Sequence, residues 1–127
     1  MLEGLYALGR SLTSFFAFWP ILYTLAATLV GVLVGCMPGL SATLAIALLT
    51  TLTIKMPSNL ALLVLICTYV GAIYGGSRSA ILLNIPGTPA SAASCLDGYA
   101  LARKGLAGRA MGIATTGSVL GTLIGMF

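Results

Sequence analysis

The chain has 127 residues, of which 59% are hydrophobic and eight are charged, six basic and two acidic. The charged share of 6% is far below the roughly 25% of soluble globular domains, so the chain lacks the polar surface that a soluble enzyme needs. The apolar content excludes a disordered tail, and the net charge of +4 bears on orientation in a lipid bilayer rather than on nucleic acid.

The composition predicts an all-α integral membrane protein, and the N-terminal segment agrees with that class. Glu3 and several aromatic residues precede the first long apolar run. We therefore expect residues 1–17 to form an interfacial helix at headgroup level. A signal peptide is disfavoured, because the start is acidic rather than basic and the apolar run is too long.

A first break is predicted at Pro38-Gly39. No charged residue occurs from Ser11 to Ile54, and one helix over that run would be about 66 Å long, twice the roughly 30 Å hydrocarbon core. Proline removes a backbone donor and glycine frees the dihedral angles, so the helix should stop there. The sequence predicts apolar helices over 19–35 and 41–54, the second one short enough for a re-entrant arm.

A second break is predicted within Asn84-Ile85-Pro86-Gly87. After a turn at Lys55-Met56-Pro57, an apolar helix is predicted over 60–83. Thr88 followed by Pro89 is typical of a helix start, with threonine as N-cap and proline in the first helical position. The predicted helices are 89–104, stopped by Gly105, and 107–127.

The ends of the chain and its basic residues indicate how it is placed. The last apolar helix has no closing interface residues, so we expect 1–127 to be the N-terminal part of a single polytopic membrane domain; a small complete membrane protein is the alternative. The segment 97–109 holds Arg103, Lys104 and Arg109, half of the basic residues, and is expected to be cytoplasmic.

Glycines that recur four residues apart predict close packing between helices, although a chain with 16 glycines produces some such pairs by composition alone. The sets are Gly31 and Gly35; Gly71 and Gly75; Gly108 and Gly112; Gly117, Gly121 and Gly125.

Residues for catalysis are scarce. The chain has no histidine, and its two acidic residues, Glu3 and Asp97, are far apart in sequence. The three cysteines have no metal-ligand spacing. We therefore expect no enzyme activity, no metal site and no cofactor.

The two breaks are the candidate functional site. Non-helical backbone at membrane depth is tolerated only where it is buried in protein or lines an aqueous cavity. Each break leads into a helix start, whose unpaired N–H groups favour anions. The candidate substrate-binding residues are Pro38, Gly39, Ser41 and Thr43 at the first break, and Asn84, Pro86, Gly87, Thr88, Pro89 and Ser91 at the second.

The residues alone leave alternatives open for this site. Each break is also explained by a kink or a helix–helix turn, and Asn84 by an interhelical hydrogen bond. Arg78 either contacts a substrate carboxylate, which arginine binds bidentately, or snorkels to the membrane interface.

Several motifs resemble those of one transporter family, from about Gly31 to the end of the chain. They are Met37-Pro38-Gly39-Leu40, Tyr74-Gly75-Gly76-Ser77, the run from Ile81 to Ser91, Leu96-Asp97-Gly98-Tyr99, Ala102-Arg103-Lys104-Gly105 and Ala107-Gly108-Arg109-Ala110. They are similar to the large membrane subunit, of TctA type, of the tripartite tricarboxylate transporters. Arg78 departs from the family pattern, in which uncharged residues are common.

The resemblance implies a multi-pass permease of the bacterial inner membrane. Its partners would be a small membrane subunit and a periplasmic solute-binding protein. Its substrates would be di- and tricarboxylates such as citrate, taken up by symport with sodium ions or protons. Carbonyl groups near Met37 and Ile85 are the expected ligands of the coupling ion.

Two other functions remain open. The first is a structural or assembly membrane subunit without a solute site of its own, recruited through its glycine faces. The second is a channel, which is less favoured because no ring of charge or selectivity sequence is visible.

Overall fold

The structure, a computed structural model, describes residues 18–126 together with Gly9. Five α-helices form this part of the chain: α1 (Phe18–Cys36), α2 (Ala42–Thr53), α3 (Ser58–Leu83), α4 (Ala92–Arg103) and α5 (Ala107–Gly125). A short 3₁₀ turn, Pro89–Ser91, leads into α4, and no strand occurs among the described residues. The all-α class is therefore confirmed, whereas the expected interfacial helix over 1–17 lies outside the described residues apart from Gly9.

Both breaks in the helices are found where the sequence predicts them. The chain leaves helical geometry after Cys36 and again after Leu83, and each new helix begins within a few residues of the proline–glycine pair. Two helices, α1 and α3, are long and apolar enough to cross a membrane, while α2 is apolar but only 12 residues long. The fold is thus a helical bundle with discontinuous helices.

The helices α1 and α3 lie side by side and run in the same direction. Gly31 lies against Thr68 and Gly35 against Ala72, so residue numbers rise together along the two helices. A Cβ atom on Gly71 would come within 2.6 Å of the Thr28 carbonyl oxygen. The four glycines of this interface therefore allow backbone-to-backbone approach, as their spacing predicts.

A buried threonine closes the same interface. The side chain of Thr68 is fully buried, and its hydroxyl group makes hydrogen bonds to the Val64 carbonyl at 2.8 Å and to the Ala27 carbonyl at 3.3 Å. The second bond joins α3 to α1. Hydrogen bonds from hydroxyl groups between packed helices stabilise such pairs where lipid replaces water.

The glycines of α5 are in different surroundings. A Cβ atom on any of the five would meet nothing within 4 Å, so the packing predicted for Gly108, Gly112, Gly117, Gly121 and Gly125 is not made within residues 18–126. Instead α5 lies against α3 and α4 through other residues, among them the buried Ala110.

The helix α4 continues in the direction of α3. Thr88 lies against Gly76, and ten residues later Gly98 lies against the buried side chain of Ile81. Because residue numbers again rise together, Arg103 at the end of α4 extends beyond the end of α3. This arrangement places the second break beside α3 and close to the end of α1.

Candidate functional site

The first break is a tight turn that depends on Gly39. The helix α1 ends at Cys36, and the Leu40 N–H donates a hydrogen bond to the Met37 carbonyl at 3.2 Å. Gly39 has φ +94°, a left-handed value that side chains with a Cβ atom rarely adopt. Pro38 and Gly39 are both exposed in the structure. Their residue types therefore follow from the geometry of the turn.

Ser41 caps the helix that follows. Its side-chain oxygen accepts a hydrogen bond from the Leu44 N–H at 3.3 Å and lies 2.6 Å from the Thr43 hydroxyl oxygen. The Ser41 cap satisfies one of the N–H groups that a helix start leaves without a partner. The two hydroxyl groups thus organise the beginning of α2.

The second break begins at Asn84, whose backbone is left-handed. Its φ is 59°, and it is the one non-glycine residue in the described part of the chain with a positive φ. The Asn84 N–H donates to the Ala80 carbonyl at 3.1 Å, which closes the last turn of α3. Asparagine tolerates this conformation better than most residues, so its type is explained by the end of the helix. Its side chain is exposed.

A capping box ends the second break. The Thr88 N–H donates to the Ser91 Oγ at 3.2 Å, and the Ser91 hydroxyl donates to the Thr88 carbonyl at 2.8 Å. Both side chains are buried, and Pro89 occupies the first helical position. The predicted helix start is confirmed, and these two hydroxyl groups are engaged in the cap rather than directed into open space.

Three glycines bring the two breaks together. A Cβ atom on Gly87 would clash with the Gly35 carbonyl oxygen and would come within 2.7 Å of the Gly76 Cα atom. We call Gly35, Gly76 and Gly87 the glycine junction. It sets the second break against the last turn of α1, three residues before Pro38.

Chain lengths give the separation of the glycine junction from the aromatic and the basic ends of these helices. The first turns of α1 contain Phe18, Trp19 and Tyr23, whose rings are neighbours. Aromatic rings of tryptophan and tyrosine are enriched at membrane interfaces. Gly35 lies about 26 Å along the helix from Phe18. In the other direction, Lys104 lies no more than about 24 Å from Thr88.

Two backbone N–H groups at the second break lie outside the helical hydrogen-bonding pattern. The N–H groups of Ile85 and Gly87 donate to no backbone carbonyl in the part of the chain that the structure describes. Gly87 is buried whereas Ile85 is exposed. These N–H groups stand directly before the N-terminus of the 3₁₀ turn and α4.

Arg78 is held between two helices. Its Nη2 donates a hydrogen bond to the Thr115 Oγ1 at 2.6 Å, and its guanidinium carbon lies 4.2 Å from the centre of the Tyr74 ring. A cavity of about 250 Å³ adjoins this contact between α3 and α5. We call this cavity the Arg78 pocket. Its polar lining residues are Tyr74, Ser77, Arg78, Thr115, Ser118 and Thr122.

The α5 residues of the Arg78 pocket were not identified from the sequence. A signal was present, because Thr115, Ser118 and Thr122 are spaced by three and four residues and so share one face of an apolar helix. That spacing does not say which side chain the face meets. The contact with Arg78 is a property of the packed bundle.

The other ionisable and sulfur-containing side chains form no metal centre. Within residues 18–126, no group of three His, Cys, Asp or Glu side chains lies close enough to hold a metal ion, and Cys36, Cys67 and Cys95 are free. Asp97 lines a second cavity of about 300 Å³, whose other lining residues, apart from Ser94, are apolar or glycine.

Comparison with known proteins decides the family. The model of the tripartite tricarboxylate transporter TctA family matches residues 21–127. The chain belongs to this family. The TctA match covers all five helices except the first three residues of α1, and it includes both breaks and the Arg78 pocket.

A relative in Agrobacterium vitis carries the name "uncharacterized 52.8 kDa protein in TAR-I ttuC' 3'region". It is 44% identical over 100 residues, which cover 79% of this chain and 19% of that protein. The chain thus matches about a fifth of the length of this relative. No solved structure matches the chain.

Proposed function

We propose that this TctA chain forms part of a permease that takes up di- and tricarboxylates of the citrate type by cation-coupled secondary transport. Family membership supports the transporter class, and the observation that carries the proposal is the glycine junction. There the second break packs against the end of α1 and against α3, and interrupted helices that meet in this way at membrane depth are the arrangement secondary transporters use for substrate sites.

The second break has the chemistry to hold a carboxylate. The N-terminus of a helix carries about half a positive charge and offers N–H groups to anions. The free N–H groups of Ile85 and Gly87 precede such a terminus, and the exposed amide of Asn84 adds a polar group beside them. Thr88 and Ser91 act by fixing the direction of this terminus through their capping box.

The coupling ion is proposed to bind carbonyl oxygens of the same two breaks. Unwound backbone and helix ends supply such oxygens to sodium ions or protons in discontinuous-helix transporters. Met37 and Ile85 are the proposed contributors, each one residue before the proline of its break. The cation would then lie close to the substrate carboxylate and offset its charge.

Partners are proposed from the family to which the chain belongs. A tripartite transporter combines three proteins, so a small membrane subunit and a periplasmic solute-binding protein are expected to work with this one. The proposed location is the bacterial inner membrane, with the segment 97–109 on the cytoplasmic side.

The glycine junction provides the test. In the full-length protein, Gly87→Ala is expected to abolish citrate uptake, because the new methyl group would clash with the Gly35 carbonyl and with Gly76. Pro86→Ala combined with Gly87→Leu is expected to do the same. Uptake of labelled citrate is measured in cells that carry equal amounts of each variant in the membrane.

Gly112→Ala serves as the matched control, since a Cβ atom at this position would meet nothing within 4 Å among residues 18–126. Normal accumulation of citrate by the Pro86→Ala, Gly87→Leu variant at wild-type membrane levels would refute the proposed site.

A structural subunit without a solute site is the competing proposal. The observation in its favour is the glycine face of α5, which meets no atom within residues 18–126. If the chain only assembles partners, Gly112→Ala should reduce recovery of the assembled transporter, and citrate should not raise the melting temperature of the purified protein. A citrate-dependent rise that Gly87→Ala removes would exclude this alternative.

A further inference from the structure

The guanidinium group of Arg78 has donors to spare. Arginine carries five N–H groups, and the structure gives one hydrogen bond, to Thr115. Asp97 is the one acidic residue in the range 18–126, and it lines a different cavity, between α4 and α5. The positive charge in the Arg78 pocket is therefore not neutralised by a carboxylate from the described part of the chain.

Two contacts fix the direction of this side chain. The guanidinium carbon of Arg78 lies over the Tyr74 ring at a distance typical of a cation–π contact. The Thr115 hydroxyl donates its own proton to the Met111 carbonyl at 2.8 Å, so its oxygen is oriented to accept from Arg78. An arginine held on both sides presents its remaining N–H groups with little loss of side-chain entropy on binding.

The pocket has the size and lining for a small oxyanion. Its volume of about 250 Å³ is just below the range of sites for whole drug-sized molecules. Ser77, Ser118 and Thr122 place hydroxyl oxygens in its wall, and each hydroxyl donates its proton to a carbonyl of its own helix. The N–H groups of Arg78 are therefore the donors that this pocket offers to an anion, and Val70, Ile73 and Ala114 make up its apolar wall. A guanidinium group in such surroundings favours the planar, bidentate geometry of a carboxylate.

We infer that the Arg78 pocket is a carboxylate-binding site, separate from the glycine junction, that contributes to substrate affinity and selectivity. The inference rests on the proposed function, because the substrate is taken to be a citrate-type anion. The two sites are neighbours, since Ser79 lies against Gly87 while Arg78, about 100° around the same helix, faces α5.

The test uses the full-length protein, assembled with its proposed small membrane subunit and supplied with its solute-binding protein, in vesicles of phosphatidylcholine, a lipid without net charge. Arg78→Gln is expected to raise the KM for citrate uptake about tenfold to a hundredfold, the range for loss of a charged hydrogen-bonded contact, with kcat changed much less. The KM of Arg78→Lys is expected to lie between those of the wild type and Arg78→Gln. Lysine keeps the positive charge, but its ammonium group cannot bind a carboxylate in the bidentate manner. Arg109→Gln, an exposed basic position of the same helix bundle, is the matched control.

Variants of Thr115 distinguish loss of the Arg78 orientation from a general loss of folding. Thr115→Val removes the acceptor for Arg78 and is expected to raise the KM by a smaller factor, while Thr115→Ser, which keeps the hydroxyl group, should restore the wild-type KM. Melting temperatures without citrate are measured for every variant. A defect in Thr115→Val that Thr115→Ser does not rescue would count against the inference.

An anionic lipid is the other source of an oxyanion, and a second arm distinguishes it. If phosphatidylglycerol in the vesicles raises the melting temperature of the wild type but not of Arg78→Gln, and citrate KM is the same in both, the pocket binds lipid phosphate and the inference is wrong. If only the inference is wrong, Gly87→Ala takes up no citrate while Arg78→Gln has the wild-type KM. Failure of the proposed function leaves the wild type without citrate uptake.

Discussion

Asn84 combines a backbone role with an exposed amide, and substitution can separate the two. Its left-handed conformation costs about 1–2 kcal/mol for an ordinary side chain and little for glycine. We expect Asn84→Val to destabilise the full-length protein by about that amount. Asn84→Gly should keep the stability close to wild type. Thermal unfolding of purified protein measures both.

Uptake measurements complete the Asn84 prediction. If the amide contacts substrate, Asn84→Gly lowers citrate uptake although the protein remains as stable as wild type. Asn59→Val provides the control, since Asn59 is an exposed asparagine in the first turn of the same helix. Equal melting temperatures for Asn84→Val and Asn84→Gly would contradict the explanation from backbone conformation.

Residue-scale chemistry could be predicted from sequence where it is local. The capping role of Thr88 and Pro89 follows from three or four adjacent residues, and the structure confirms it. The left-handed backbone of Asn84 was not predicted, because an asparagine at this position is explained as well by an interhelical hydrogen bond as by the end of a helix. The contact between Arg78 and Thr115 joins residues 37 positions apart, and nothing local specifies it.

At the scale of elements, the start of α4 depends on one buried serine. Ser91 accepts from the Thr88 N–H and donates to the Thr88 carbonyl, and its side chain is 1% exposed. Ser91→Ala removes both hydrogen bonds and is expected to destabilise the protein by about 1–2 kcal/mol, the usual range for a lost cap. The melting temperature should fall accordingly.

Ser94→Ala is the control for the cap, because Ser94 lies on the same helix, is half-buried and takes no part in the capping box. Thr88→Ser, which retains the capping hydroxyl, should be tolerated. If Ser91→Ala unfolds at the wild-type temperature, the capping box contributes nothing and the rigid helix start assumed for the substrate site is wrong.

Helix limits were predictable because prolines and glycines mark them. The pairs Pro38-Gly39 and Pro86-Gly87 and the single Gly105 stand at the interruptions the structure shows. Helix pairing was not predictable. Glycines spaced four residues apart pack closely between α1 and α3, whereas those on α5 contact no neighbouring helix within residues 18–126. The spacing specifies which face of a helix carries the glycines but not which helix packs against it.

At the scale of the whole molecule, the direction of the helices places the aromatic start of α1 on one side of the bundle and the basic segment 97–109 on the other. The helices α1, α3 and α4 run the same way, so Phe18 and Ser58 begin on one side and Arg103 ends on the other. The positive-inside rule assigns the side of Arg103, Lys104 and Arg109 to the cytoplasm. We therefore expect Ser58 to lie on the periplasmic side.

Cysteine labelling in intact cells tests this orientation. In the full-length protein with all native cysteines, including Cys36, Cys67 and Cys95, replaced by alanine, Ser58→Cys is expected to react with a membrane-impermeant maleimide. Lys104→Cys is expected not to react, and both positions are exposed. In inside-out vesicles the pattern should reverse, because only the cytoplasmic face meets the reagent. Inverted labelling would mean that the basic segment is periplasmic. Labelling of both positions from one side would contradict the parallel course of α3 and α4, and with it the depth of the glycine junction.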